Sequence, residues 1–156
     1  MHERFRSYVE GLHPKFIQLT QSCPILCAEK ARIPAGPGVY LFSEAETPLY
    51  VGRTSKLRQR YGGHCNTSSK QQSAAFAFKL AREQTGFLSA SYKVGSQSRK
   101  GLMENPKFAA AFENAKGRIR SMEFRCVEEE DSERQALLEI YCAVALGTRY
   151  NDFKNH

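Results

Sequence analysis

The stretch from Gly38 to His64, GVYLFSEAETPLYVGRTSKLRQRYGGH, constrains the fold of this chain more than any other. Val39 to Phe42 are strand formers, and Leu49 to Val51 are a second short run of the same kind. Ser43, Glu44, Glu46, Thr47 and Pro48 between them are turn material. Two strands this close in sequence are expected to pair as an antiparallel hairpin, bringing Tyr40 near Tyr50. Gly52 closes the second strand where the backbone needs freedom or close approach. Thr54 or Ser55 is then placed to cap a helix carrying Leu57 and Tyr61. On that helix Arg60 and His64 stand at i and i+4, on one face. Gly62 and Gly63 each cost a helix about 1 kcal/mol. The helix is therefore expected to end near Tyr61 or to loosen there, which leaves the placement of His64 open.

Two phenols, a guanidinium and an imidazole can thus converge above one sheet edge. Phosphodiester cleavage needs groups of these kinds, one to orient or deprotonate water and a cation for the developing phosphorane charge. The charge distribution agrees with a phosphate partner. The formal net charge is +7, and between Arg53 and Arg120 only Glu83, Glu104 and Glu113 oppose a long series of lysines and arginines. Arg53, Lys56 and Arg58 beside the hairpin are candidate phosphate contacts. So are Arg99 and Lys100, in the loop-like composition from Ser91 to Lys100. A solvated basic surface would give the same count by itself.

The rest of the chain supplies a core. A length of 156 residues with 41% hydrophobic residues fits one globular domain. Residues 1–35 read as an extension packed on the core: one short helix with Phe5, Val9 and Leu12, and another with Phe16, Ile17 and Leu19 after Pro14. Residues 36–156 read as the functional domain. Asn66 to Ser69 is a polar loop. A helix with Phe76, Phe78 and Leu80 ends near Gly86, and another follows Pro106 and stops before Gly117. Ile119, Met122, Phe124, Cys126 and Val127 read as a third strand, with Met122, Phe124 and Cys126 on one face. Asp131 or Ser132 caps a last helix through Leu137, Leu138, Tyr141 and Val144, with Glu133 in its first turn and Gly147 as its stop. No apolar run is long enough for a membrane span, and MHERFRSYVEGLH lacks a signal-peptide core. The five cysteines are scattered and odd in number, so reduced thiols and a soluble, cytoplasmic protein are expected. Cys23 and Cys27 lack a second ligand pair for zinc.

Gly38-Val39-Tyr40 and Tyr50-Val51-Gly52, so spaced, resemble the two halves of the GIY-YIG nuclease motif. Arg60 matches the arginine that follows the second tripeptide in that family, and His64 matches a histidine found in many members. Glu139, set among Leu137, Leu138, Ile140 and Tyr141, matches the family's glutamate on the helix after the third strand. Asn151 matches its downstream asparagine. The resemblance covers roughly residues 36–152 and implies an α+β fold: a small three-stranded antiparallel sheet flanked by helices.

The resemblance also implies an activity, that of a metal-dependent endonuclease hydrolysing phosphodiester bonds in DNA. In it Glu139 holds one Mg²⁺ or Mn²⁺, with water in the remaining positions. Tyr40 helps to activate the attacking water, and Tyr50 orients water or the scissile phosphate. Arg60 stabilises the pentacoordinate phosphate, and His64 supports proton transfer. Gly38, Gly52 and Asn151 brace the site. A tyrosine of pKa about 10 is a poor base near neutrality unless the metal or Arg60 lowers it. RNA cleavage, or a non-catalytic nucleic-acid-binding module of the same fold, are the alternatives. No separate recognition domain is visible, so target choice would come from inserted loops, a homodimer or a partner protein.

Overall fold

The computed structural model describes residues 1–87, 95 and 98–153. Its strands are β1 Gly38–Glu44, β2 Thr47–Thr54 and β3 Glu123–Glu128. Its helices are α1 Glu3–Val9, α2 Leu12–Gln21, α3 Leu57–Cys65, α4 Ala75–Thr85, α5 Arg99–Glu104, α6 Pro106–Arg120 and α7 Ser132–Leu146, with a 3₁₀ turn over Cys27–Arg32. The strands form one antiparallel sheet in the order β2-β1-β3, flanked by helices, which is the expected α+β architecture. The chain divides into two compact units, Arg60–Ser121 and the residues on either side of that segment.

In the sheet-containing unit, β1 is the central strand and is buried on both faces. One face carries Val39, Leu41, Val51 and Val127, which cluster with Leu19 of α2 and with Leu138 and Cys142 of α7. Leu12 and Phe16 of α2 and Tyr141 of α7 pack against that cluster. Alternation sends Tyr40, Phe42 and Phe124 to the other face, where Phe42 and Phe124 meet edge to face at 5.1 Å. Two details of residues 1–35 differ from expectation. Leu12 belongs to α2, not to the helix before it, and Pro14 sits in the first turn of α2, where its missing N–H is harmless. Ile25 exchanges two backbone hydrogen bonds with Phe124 and so covers part of the β3 edge.

The hairpin turn is tighter than its composition suggests. Ser43 and Glu44 lie in β1, and Thr47 and Pro48 lie in β2. Only Ala45 and Glu46 turn, both with positive φ (48° and 64°), the geometry that matches the twist of two paired strands. Pro48 is tolerated because β2 is an edge strand and the register shifts there.

In the other unit, α4 packs on α6 through Phe78 and Phe108, whose ring centroids are 5.0 Å apart. The side chain of Lys116 is buried, and its Nζ donates to the carbonyls of Thr67 (2.8 Å) and Ser69 (2.9 Å) and pairs with Glu113. Asn105 caps α6 by accepting from Lys107 and Phe108. α6 continues through Gly117 to Arg120, so Ile119 is helical and β3 begins only at Glu123. Burial of Phe108, Ala111, Phe112, Ala115 and Ile119 along one stripe outweighs the cost of a single glycine. Arg99 and Lys100 open α5 rather than ending a loop; residues 88–94 and 96–97, including Lys93, lie outside the described residues.

All five cysteines are thiols. Burial pushes Cys142 up to about 12, and burial together with Glu128 pushes Cys126 up to about 11. Near pH 8 neither thiol is then appreciably ionised in the folded protein. A thiol reagent is expected to modify exposed Cys23 quickly and Cys142 only on unfolding, with five equivalents in denatured, unreduced protein. Rapid modification of Cys142 in the native state would show that the α7 face opens readily.

Candidate active site

Tyr40 and Tyr50 stand on the same face of the hairpin, with ring centroids 6.4 Å apart. They are diagonal rather than opposed, because Tyr40 pairs with Gly52 and Phe42 with Tyr50. The Tyr40 ring lies directly across the backbone of Gly52, and a Cβ at residue 52 would collide with its Cζ and hydroxyl. Gly38 has a similar reason to be glycine, since a Cβ there would run into the carbonyl of Val127. Both glycines of the two tripeptides thus permit close approach within the sheet.

One residue beyond Gly52, Arg53 extends on the Val51 side of β2, toward α7. Its Nε is 3.1 Å from Glu139 Oε2. Arg53, by sequence a candidate phosphate contact, is paired here with a residue 86 positions away, a partner that no local pattern reveals. Glu139 lines an open cleft of about 580 Å³ together with Pro37, Arg53, Thr54, Ser55, Glu130, Ser132 and Gln135. Ser132, Gln135 and Glu139 recur on one face of α7, a helix begun by Asp131, whose carboxylate accepts from Arg134 N–H. The cleft and the Tyr40 hydroxyl therefore meet the chain at neighbouring residues at the end of β2.

Asn151 braces the same strand. Its Oδ1 accepts from Val51 N–H and its Nδ2 donates to Val51 C=O, both at 2.8 Å. Tyr150 N–H adds a bond to Leu49 C=O. Two residues after α7 thus occupy the outward backbone groups of the edge strand.

α3 runs unbroken through Gly62 and Gly63 to Cys65. Its first N–H groups, on Leu57 and Arg58, are met by the carbonyls of Gly36 and Pro34 rather than by a Thr54 or Ser55 cap; Thr54 Oγ1 accepts from Lys56 N–H instead. Gly63 admits the carbonyl of Ser73, which would lie 3.3 Å from a Cβ there. Arg60 Nη1 donates to that same carbonyl at 3.0 Å. His64 is fully buried, and burial followed by the nearby Arg60 charge holds its pKa well below 6.5. It is a neutral imidazole near pH 7. Of the other candidate phosphate contacts, Arg58 donates to the carbonyls of Ile33 and Ala31, and Arg99 stacks on Phe78 at 5.1 Å. Lys56 and Lys100 are exposed.

Compared with protein-family models, residues 36–151 match the GIY-YIG catalytic domain. The chain belongs to the GIY-YIG family. No curated protein and no solved structure matches it. Membership implies nuclease activity in general and a nucleic-acid substrate, and the family is generally dependent on a divalent metal. Among the described residues no helix is long and apolar enough to cross a membrane.

The donors of this GIY-YIG domain fit such an ion. Among the described residues no three His, Cys, Asp or Glu side chains form a protein cage. Glu139, about a quarter exposed, shares the wall of that water-accessible cleft with exposed Glu130, and one or two carboxylates suit a hard cation that keeps most of its water.

Two measurements check this geometry. Gly52→Ala is expected to destabilise the domain by about 1–3 kcal/mol in urea denaturation, and to cost much less in a Tyr40→Ala background, which is itself destabilised by loss of a buried ring. Additive losses would mean that the Tyr40 ring does not set the glycine requirement. For His64 the sign follows from its lowered folded-state pKa. Above 6.5 neither state is protonated; below it the unfolded chain gains a proton that the folded one refuses. Stability is therefore expected to fall with pH from 6.5 downward, and less steeply in His64→Gln, as read by denaturation across about pH 7.5 to 5.

Proposed function

We propose that this GIY-YIG domain is a metal-dependent endonuclease that hydrolyses phosphodiester bonds in DNA. The observation that supports the reading is that adjacent residues at the end of β2 carry the two halves of the site, Gly52 beneath the Tyr40 hydroxyl on one face of the sheet and Arg53 beside the Glu139 carboxylate on the other. Glu139 would hold one Mg²⁺ or Mn²⁺. Such an ion, when bound, supplies Lewis-acid stabilisation and a water of lowered pKa.

The remaining work falls to this chain's own side chains. Tyr40, held by its close fit to Gly52, would orient the attacking water and, only once ionised to the phenolate, accept its proton at Oη to give the neutral phenol. Tyr50, half-buried on the same face, positions water or the scissile phosphate. Arg60 would take up the charge that grows on the phosphorane. His64 supports the site as a neutral hydrogen-bonding group rather than as an acid near pH 7. Asn151, Gly38 and Gly52 hold the strands that carry the tyrosines. Arg53, Lys56, Arg58, Arg99 and Lys100 contribute electrostatic attraction to the backbone of DNA.

The reading is tested by incubating the protein with duplex, nicked, flapped and branched DNA, and with RNA, in Mg²⁺ and in Mn²⁺. Cleavage of at least one DNA form is expected; cleavage of RNA alone would move the substrate class. Salt-sensitive binding with no cleavage would make the protein a binding module. Glu139→Gln, which keeps volume but loses the anion, is expected to abolish cleavage while leaving fold and DNA affinity largely intact. Arg60→Ala is expected to reduce the cleavage rate by about 100-fold or more, with a much smaller loss of binding, because the transition state carries more charge than the ground state. Parental cleavage by Glu139→Gln in limiting Mg²⁺ would remove that residue from metal binding.

A further inference from the structure

We infer that Arg53 is the resident counter-ion of Glu139, and that it lowers the affinity of the metal site by holding the carboxylate that the ion must take over. The inference rests on the proposed role of Glu139 and adds a second residue to it. Arg53 Nε approaches Glu139 Oε2 at 3.1 Å, within hydrogen-bond distance. The carboxylate is only about a quarter exposed while the arginine is half exposed, so the anion is the more confined partner and the cation the more displaceable one. Without an ion, a desolvated carboxylate at this position would be costly, and the guanidinium relieves that cost through a charge-assisted bond. With an ion, two cations compete for one anion. Either the guanidinium leaves, or it stays beside a divalent charge and repels it. Both routes weaken the site relative to the same carboxylate without Arg53.

The geometry also gives the displaced group a place to go. Arg53 lines the cleft alongside Thr54 and Ser55, so a guanidinium released from Glu139 remains at the cleft wall. The pair therefore acts as a positioning device: it holds Glu139 in one orientation before metal arrives and yields it when metal binds.

The test is Mn²⁺ binding in the absence of DNA, read by the loss of free-ion signal in electron paramagnetic resonance, on the full chain. Arg53→Met keeps the aliphatic stem and removes the charge. It is expected to bind Mn²⁺ about two- to fivefold more tightly than the parent, the size of effect that a partly exposed ion pair commands. Arg53→Lys, which retains the charge, is expected to stay near the parent. Glu139→Gln separates the two readings. If it binds Mn²⁺ like the parent, Glu139 is not the ligand and the proposed function loses its metal site. If it loses Mn²⁺ binding while Arg53→Met binds no tighter than the parent, the metal site stands and the counter-ion role of Arg53 is overturned. Thermal unfolding of Arg53→Met without metal, and circular dichroism at the start of each titration, confirm that a folded protein is compared in every case.

Discussion

The fit of the Tyr40 ring against the bare backbone of Gly52 is the contact on which the hairpin depends. β1 is buried on both faces, and its aromatic face has to accommodate Tyr40, Phe42 and Phe124 together. A ring laid flat across the neighbouring strand needs that strand to lack a side chain, and Gly52 provides the gap. The same packing carries the phenol to the end of β2, where Arg53 turns to the other face and meets Glu139. Strand alternation thus distributes the phenols and the carboxylate to different faces, and the strand end brings them back to neighbouring backbone positions.

Charge in this chain does two jobs. A net charge of +7 suggests a surface prepared for phosphate, yet several of its cations are used within the fold. Arg58, Arg60, Arg120 and Arg125 each donate to main-chain carbonyls, and buried Lys116 holds two more. Each of these cations fastens a carbonyl in a loop, in the 3₁₀ turn or at a helix end, where no strand partner is available. Basic residues counted along the sequence therefore overstate the surface available to DNA, and for Lys116 the burial is complete enough to exclude a phosphate contact.

What could be read from the sequence followed from short-range chemistry. The hairpin, the αL stop at Gly147, the Asp131 cap and the third strand from Phe124 to Val127 all rest on local preferences, and they were legible. The two-residue turn was not, because Ala45 and Glu46 adopt a backbone normally given to Asn or Gly, and only the pairing of the flanking strands enforces it. The extent of α6 was hidden for a related reason: tertiary burial carried the helix through Gly117. At the site, the tyrosine pair followed from hairpin spacing, whereas Glu139 and Asn151 were singled out by family resemblance. The Arg53–Glu139 pair was invisible, since no local rule joins residues 86 positions apart. The continuity of α3 across Gly62 and Gly63 likewise depends on the segment that Gly63 lets in, a fact about distant chain.

Asn151 has a consequence for the outer edge of this sheet. Its amide imitates one residue of a fourth strand, giving Val51 both partners that an adjoining chain would offer. That contact joins residues 100 positions apart, so the edge is closed by chain distant from the hairpin itself. In the folded protein the asparagine thus closes one position of an exposed strand edge that would otherwise be open to another chain.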